Sequence, residues 1–191
     1  MTEFVYSQPV KIFFGAGKLK KLGAVLDELD IGKCVLVCGN HFKARAEELQ
    51  TEEKRICAIF GEVEQNPQLS GAVETAALAR RYEADAVIGI GGGSAIDTAK
   101  FAAAIACGEG EALDYYRGEL PFPSRRPAII AIPTTAGTGS EVTQVSVISH
   151  GKEKRTINNP AFMPRAAIVD PELSSTVPPR TTMNTDRKSV V

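Results

Sequence analysis

Residues 86–106 read AVIGIGGGSAIDTAKFAAAIA, and the chain changes character in the middle of that stretch. Val87 to Ile90 is a short apolar run of the kind that forms a strand buried on both faces, and Gly91, Gly92 and Gly93 can take backbone angles closed to other residues. Ala95 to Ala106 is rich in helix formers, and Ser94 with Asp97 fits a capping box at its start. A strand that runs through glycines into a helix N-terminus offers free backbone N–H groups at the positive end of the helix dipole. That is a site for an anion, most often phosphate. The spacing is not G-x-G-x-x-G, and the lysine and hydroxyl of a P-loop are missing. The alternative is a tight strand-to-helix turn with an ordinary cap.

Working outward, Cys34 to Cys38 and Arg55 to Phe60 are further apolar strands, and a polar helix over about His41 to Gln50 separates them. An alanine-rich helix, Gly71 to Tyr82, leads into the central strand from a loop that carries Asn66-Pro67. Lys18 to Leu29 has helical spacing at Leu19, Leu22, Val25, Leu26 and Leu29, and Gly32 ends it. Phe4 to Phe14 suggests an edge strand or hairpin. On the other side come a proline-punctuated loop, Asp114 to Pro127, a buried strand, Ala128 to Ile132, and a loop of small residues and hydroxyls, Pro133 to Ser140. Val145 to Ser149 and Arg155 to Asn158 read as an antiparallel hairpin, and Ala166 to Asp170 as a last strand. Strands alternating with helices define an α/β fold: a mostly parallel sheet with helices on both faces, wound right-handed, plus the hairpin. Ligands of such sheets sit beyond the C-terminal ends of the strands, where Gly39, Asn66 and Gly91 to Ser94 fall.

The 191 residues are enough for one sizeable core, and 43% hydrophobic with 24% charged residues is a globular composition. A formal net charge of -1 gives no broad attraction for nucleic acid or anionic membrane. No apolar run reaches spanning length and the opening MTEFVYSQPV is no signal peptide, so the expected location is cytoplasmic. Cys34, Cys38, Cys57 and Cys107 are too scattered for a disulfide framework. A zinc site would need two more ligands beside Cys34 and Cys38; buried free thiols are the better reading.

Three segments then carry a resemblance: GGGSAIDTAK at 91–100, PTTAGTGSEVT at 133–143, and AIVDPEL at 167–173 followed by PPR. Together with FGAG at 14–17 and Asn66-Pro67, they resemble the iron-containing alcohol dehydrogenase family. The resemblance implies a Rossmann-like nicotinamide-dinucleotide-binding domain over residues 1–180, with 181–191 as an atypical, poorly ordered tail. It places the pyrophosphate on the backbone of Gly92, Gly93 and Ser94, with Asp97 towards the nicotinamide. Thr134, Thr135, Thr138 and Thr143 would line the adenosine and ribose side, and Asn66, Lys154 and Leu173 would complete the pocket. Asp97 also reads as a helix cap, and Lys154 as a solvated hairpin charge.

The family carries its metal ligands on a helical second domain, an Asp and a His shortly after the Pro-Pro and two further His downstream. Here the sequence after PPR is TTMNTDRKSVV, and the two histidines, His41 and His150, do not follow the motif. No iron or zinc site of that type is therefore expected, nor the Lewis acid that polarises the substrate carbonyl. The expectation is a dinucleotide-binding domain truncated before the metal domain, weakly active or inactive on small alcohols and aldehydes. The alternatives are a metal-independent oligomeric oxidoreductase and a non-catalytic module. Lost packing surface and an edge strand around Val5 to Phe13 point to a homodimer or larger. NAD-preferring relatives carry Asp at the end of the second strand, where this chain has Gly39, with Asn40, His41 and Lys43 following. NADP is therefore the expected cofactor, unless Gly39-Asn40 is a plain turn that tolerates NAD as well.

Overall fold

The computed structural model describes residues 8–175 together with Glu3 and Val177. Among the described residues eight strands, β1 (Lys11–Phe14), β2 (Cys34–Gly39), β3 (Ile56–Val63), β4 (Ala86–Gly91), β5 (Ala128–Pro133), β6 (Val145–His150), β7 (Glu153–Asn158) and β8 (Ala166–Val169), form two sheets. Six lie in one sheet in the order β1-β8-β5-β4-β2-β3, every described pairing parallel, while β6 and β7 make a separate antiparallel pair. The helices are α1 (Leu22–Glu28), α2 (Lys43–Glu52), α3 (Leu69–Tyr82), α4 (Gly93–Ile105), α5 (Ala112–Arg117) and α6 (Pro171–Ser174). The structure thus has the mostly parallel α/β architecture read from the alternation of strands and helices.

The inner strands have no polar face because helices cover both sides. Val35, Val37, Val87 and Ile129 pack into one buried cluster with the alanines of α3 and α4. Leu36, Ile88, Ile90 and Ile130 pack into the other with Leu22, Val25 and Leu26 of α1 and Leu49 of α2. A period of two sends alternate residues to opposite cores. Gly89 lets α4 approach: a Cβ there would lie 2.9 Å from the Ala99 Cβ and 3.0 Å from the Ile96 Cα.

Several expectations are revised. The segment ending at Phe14 forms no hairpin; β1 pairs in parallel with β8 at the sheet edge, and residues 4–7 of the expected strand lie outside those described. The helix after Lys18 begins as a 3-10 segment, Lys18–Lys21, and Asp30 at φ 54° turns the chain before Gly32. The supposed loop after Asp114 begins inside α5, because Tyr116 is buried, its hydroxyl donates to the Glu153 carbonyl, and Tyr115 stacks on Phe122. Six residues are too few to show a helical period. Of the cysteines, Cys34 and Cys38 are buried, with burial pushing their thiols up to about 12 and about 11, but Cys57 is only half-buried and Cys107 is exposed. The tail at 181–191 and the Pro178-Pro179 breaker lie outside the described residues.

Candidate dinucleotide site

The chain leaves β2 through α2 on one face of the sheet, but leaves the neighbouring β4 through α4 on the other. The gap between the C-terminal ends of β2 and β4 is therefore a topological switch point, where α/β sheets of this kind receive ligands. Gly39 closes β2 and Gly91 closes β4. Gly91 has φ +146°, a conformation that L side chains rarely adopt, and it turns the strand into the first residue of α4.

The cap differs from the sequence expectation. Gly92, not Ser94, is the N-cap, and no side chain caps α4. The Ser94 hydroxyl donates to the Gln65 carbonyl at 2.7 Å, and Asp97 Oδ2 accepts from the Val147 N–H at 3.1 Å, so the Ser94–Asp97 box does not form. The result leaves the N–H groups of Gly93 and Ser94 without a side-chain cap, while the Ala95 N–H donates to the Gly92 carbonyl at 3.1 Å.

The loop after β5 folds over this turn. Thr134 N–H donates to the Gly91 carbonyl at 2.9 Å. A Cβ added at Gly92 would lie 3.4 Å from Thr135 Oγ1, and one at Gly93 would lie 3.4 Å from Ser140 Oγ and 3.5 Å from Thr138 Cγ2. Hydroxyls thus ring the open end of α4, and Thr135 Oγ1 is buried without a hydrogen-bond partner. Lys154 Nζ donates to Asn66 Oδ1 at 3.0 Å, joining the hairpin to the loop that Ser94 also holds.

Gly92, Gly93, Ser94, Asn66, Lys154, Thr134, Thr135 and Thr138 are therefore gathered at one end of the sheet. Gly39, Asn40 and Lys43 stand beside them at the end of β2, where Lys43 lies 4.0 Å from Glu62 and its stem covers Gly61. Asp97 and Thr143 sit deeper, on the contact between α4 and β6. Leu173 follows β8 and packs against the core on the α1 face. At that edge Asp170 accepts from the N–H groups of Gly17, Leu19 and Glu172, which explains why FGAG and AIVDPEL occur together. Burial alone would raise its pKa, but these backbone donors hold it below the ordinary carboxylate value.

Sequence reasoning passed over Lys100. It is fully buried in α4, and its ammonium donates to the carbonyls of Thr143 (2.8 Å) and Val145 (2.9 Å). Burial lowers its pKa to about 8, against the opposing pull of Asp97 and Glu141. The signal was a lysine three residues after an aspartate in an otherwise apolar helix.

Among the described residues no group of three or more His, Cys, Asp or Glu is placed to hold a metal ion, so the donors in hand do not fit the family's metal. A cleft of about 1330 Å³ opens at the opposite end of the sheet, lined by Lys33, Arg80, Asp85, Arg126 and Arg165. There the C-terminal ends of α1, α3 and α4 converge, and the basic side chains suit those negative dipole ends.

A parallel α/β sheet with an uncapped helix N-terminus and a hydroxyl-lined loop at its switch point defines a dinucleotide-binding domain of the Rossmann-like class. Comparison with known proteins gives the family. The sequence model described as iron-containing alcohol dehydrogenase matches residues 9–171, and the chain belongs to that family. It is 35% identical over 186 residues to choline dehydrogenase of Bacillus subtilis, covering 93% of this chain and 46% of that protein. It is 31% identical over 185 residues to NADH-dependent butanol dehydrogenase A of Clostridium acetobutylicum, covering 93% and 47%. Among solved structures, sulfoacetaldehyde reductase from Bifidobacterium kashiwanohense in complex with NAD+ superposes with a TM-score of 0.88 at 34% identity, over 97% of this chain and 50% of that one. The chain spans about half the length of the curated relatives it matches.

Proposed function

We propose that this chain is the cofactor-binding part of an alcohol or aldehyde oxidoreductase, and that it prefers NADP(H). The observation that carries the reading is the open N-terminus of α4 at the switch point, ringed by Thr135, Thr138 and Ser140. The first-turn N–H groups and the helix dipole hold the pyrophosphate. Thr134, Thr135, Thr138 and Thr143 line the ribose side, and Asn66 with Lys154 closes the crevice. When bound, the dinucleotide supplies hydride transfer; the protein's own groups bind, orient and shield it. For these residues by themselves the reading carries weak or no alcohol dehydrogenase activity, on the sequence expectation that the family's metal ligands lie on a second domain.

Calorimetric titration with NADPH and NADH tests the assignment. Saturable binding is expected, and heats that never saturate with either nucleotide refute it. The NADP preference rests on Gly39, which puts no carboxylate against a 2′-phosphate, and on Asn40, His41 and Lys43 beside it. A Cβ at Gly39 would lie 3.3 Å from the Val63 carbonyl, so Gly39→Ala serves as the steric control for Gly39→Asp. Only the aspartate is expected to reverse the preference. Equal dissociation constants for the two nucleotides at low salt would show that this turn does not read the 2′ position. We further propose a cytoplasmic homodimer or larger assembly, supported by the exposed Ile12 and Phe14 on the edge strand β1. Monomeric protein by light scattering of the titrated samples would exclude it.

A further inference from the structure

The hairpin β6–β7 makes no described ladder with the main sheet, and one edge of β6 would be left with unpaired backbone groups. Residues 146, 148 and 150 turn their backbone towards β7, so the odd-numbered ones face outward. Each outward group recorded in a bond finds a partner outside the main sheet, the bond of Ser149 forming a single parallel bridge at Gln68. Lys100 donates to the carbonyls of Thr143 and Val145, Asp97 accepts from the Val147 N–H, and the Pro67 carbonyl accepts from the Ser149 N–H. A further bond runs the other way, from the Ser146 hydroxyl to the Asp97 carbonyl at 3.0 Å. Asp97 and Lys100 stand three residues apart on one face of α4, and β6 runs antiparallel to that helix, so two side chains cover the strand from residue 143 to 147.

We propose that Lys100 and Asp97 are a positioning pair which replaces a missing neighbouring strand, docks β6 on α4, and thereby holds the Thr138–Thr143 wall and Lys154 at the distance from the α4 N-terminus that a dinucleotide requires. The inference rests on the function proposed above. The same helix presents its first turn to the pyrophosphate and, one to two turns later, grips the strand that follows the hydroxyl loop. Both walls of the crevice are referred to one rigid body. Lys154 extends the effect, because it sits on β7 and reaches Asn66 in the segment that Ser94 also ties down. A buried ammonium bonded to two carbonyls specifies one register: a slip of β6 by a single residue would present it with N–H groups, which it cannot bond.

Lys100→Met keeps the length of the side chain and strands the carbonyls of Thr143 and Val145. Hydrogen exchange is read at the amides of Val147 and Ser149 and, as an internal reference, at those of β4 and β5. Binding of NADH and NADPH is measured on the same variant. The expected result is loss of protection at Val147 and Ser149 with β4 and β5 still protected, and a nucleotide affinity weakened about tenfold by the lost preorganisation. Binding of inorganic pyrophosphate, which needs only the α4 N-terminus, is expected to be unchanged. Should Lys100→Met fail to fold, Ser146→Ala removes a single bond of the same dock, and the same shifts, smaller in size, are expected. Unchanged exchange at Val147 refutes the dock regardless of any nucleotide result. A loosened β6 with unaltered nucleotide affinity refutes the positioning role. A parent protein that binds neither nucleotide refutes the proposed function and the coupling with it, while the exchange data still decide the dock.

Discussion

Gly93→Val probes the pyrophosphate site most directly. Gly93 is the first residue of α4 and has no positive φ, so its backbone accepts an L side chain without strain. A Cβ there would lie 3.4 Å from Ser140 Oγ and 3.5 Å from Thr138 Cγ2, an ordinary contact, so the branched methyls fill the space between the turn and the hydroxyl loop. Valine is no worse than glycine in a helix, and the fold is expected to persist with a melting shift under about 4 °C. What is lost is close approach of the phosphates. Charge-assisted bonds contribute about 1.5–3 kcal/mol each, so losing one of them weakens binding by about that amount. That is about 10- to 160-fold in Kd. Calorimetric titration of parent and variant with NADPH reads the change, and circular dichroism confirms the fold. A folded Gly93→Val protein whose Kd stays within about threefold of the parent would show that the phosphates do not approach this turn.

Two further predictions concern buried charges. Asp170→Ala strands the N–H groups of Gly17, Leu19 and Glu172, and a loss of about 2–4 kcal/mol is expected from urea unfolding. Because its folded pKa is depressed, Asp170 contributes its full stability above the unfolded value and loses it as pH falls through the folded one. The acid branch of the stability profile should therefore flatten in Asp170→Asn, and identical profiles would contradict the assignment. Lys100 acts in the alkaline range. With its folded pKa lowered to about 8 against an ordinary 10.5, the unfolded chain holds more protons between those values. Its contribution to stability should rise with pH across that window. Lys100→Met should lack the rise, and a constant gap between the two proteins from neutral pH to pH 10.5 would show the ammonium is not desolvated.

The local pattern of the chain was sufficient for the alternation of strands and helices, the glycine turn and the hairpin, because each depends on neighbours a few residues apart. Val87 to Ile90 reads as a doubly buried strand from composition alone, and Val145 to Asn158 as a hairpin from its central turn. GGGSAIDTAK and PTTAGTGSEVT pointed to one crevice, but only the sheet order puts the ends of β2 and β4 side by side and lays the hydroxyl loop over the turn. Sequence assigned Asp97 and Ser94 to a helix cap, since both residue types suit one. Tertiary structure gave them other partners, because β6 had outward backbone groups to satisfy and the Gln65 carbonyl lay within reach of Ser94. Lys100 shows the same limit: in a string of residues it is a misplaced charge, and its use depends on a strand more than forty residues further along the chain. Burial of a polar group is decided by which distant segment arrives to bond it, and local spacing carries no record of that.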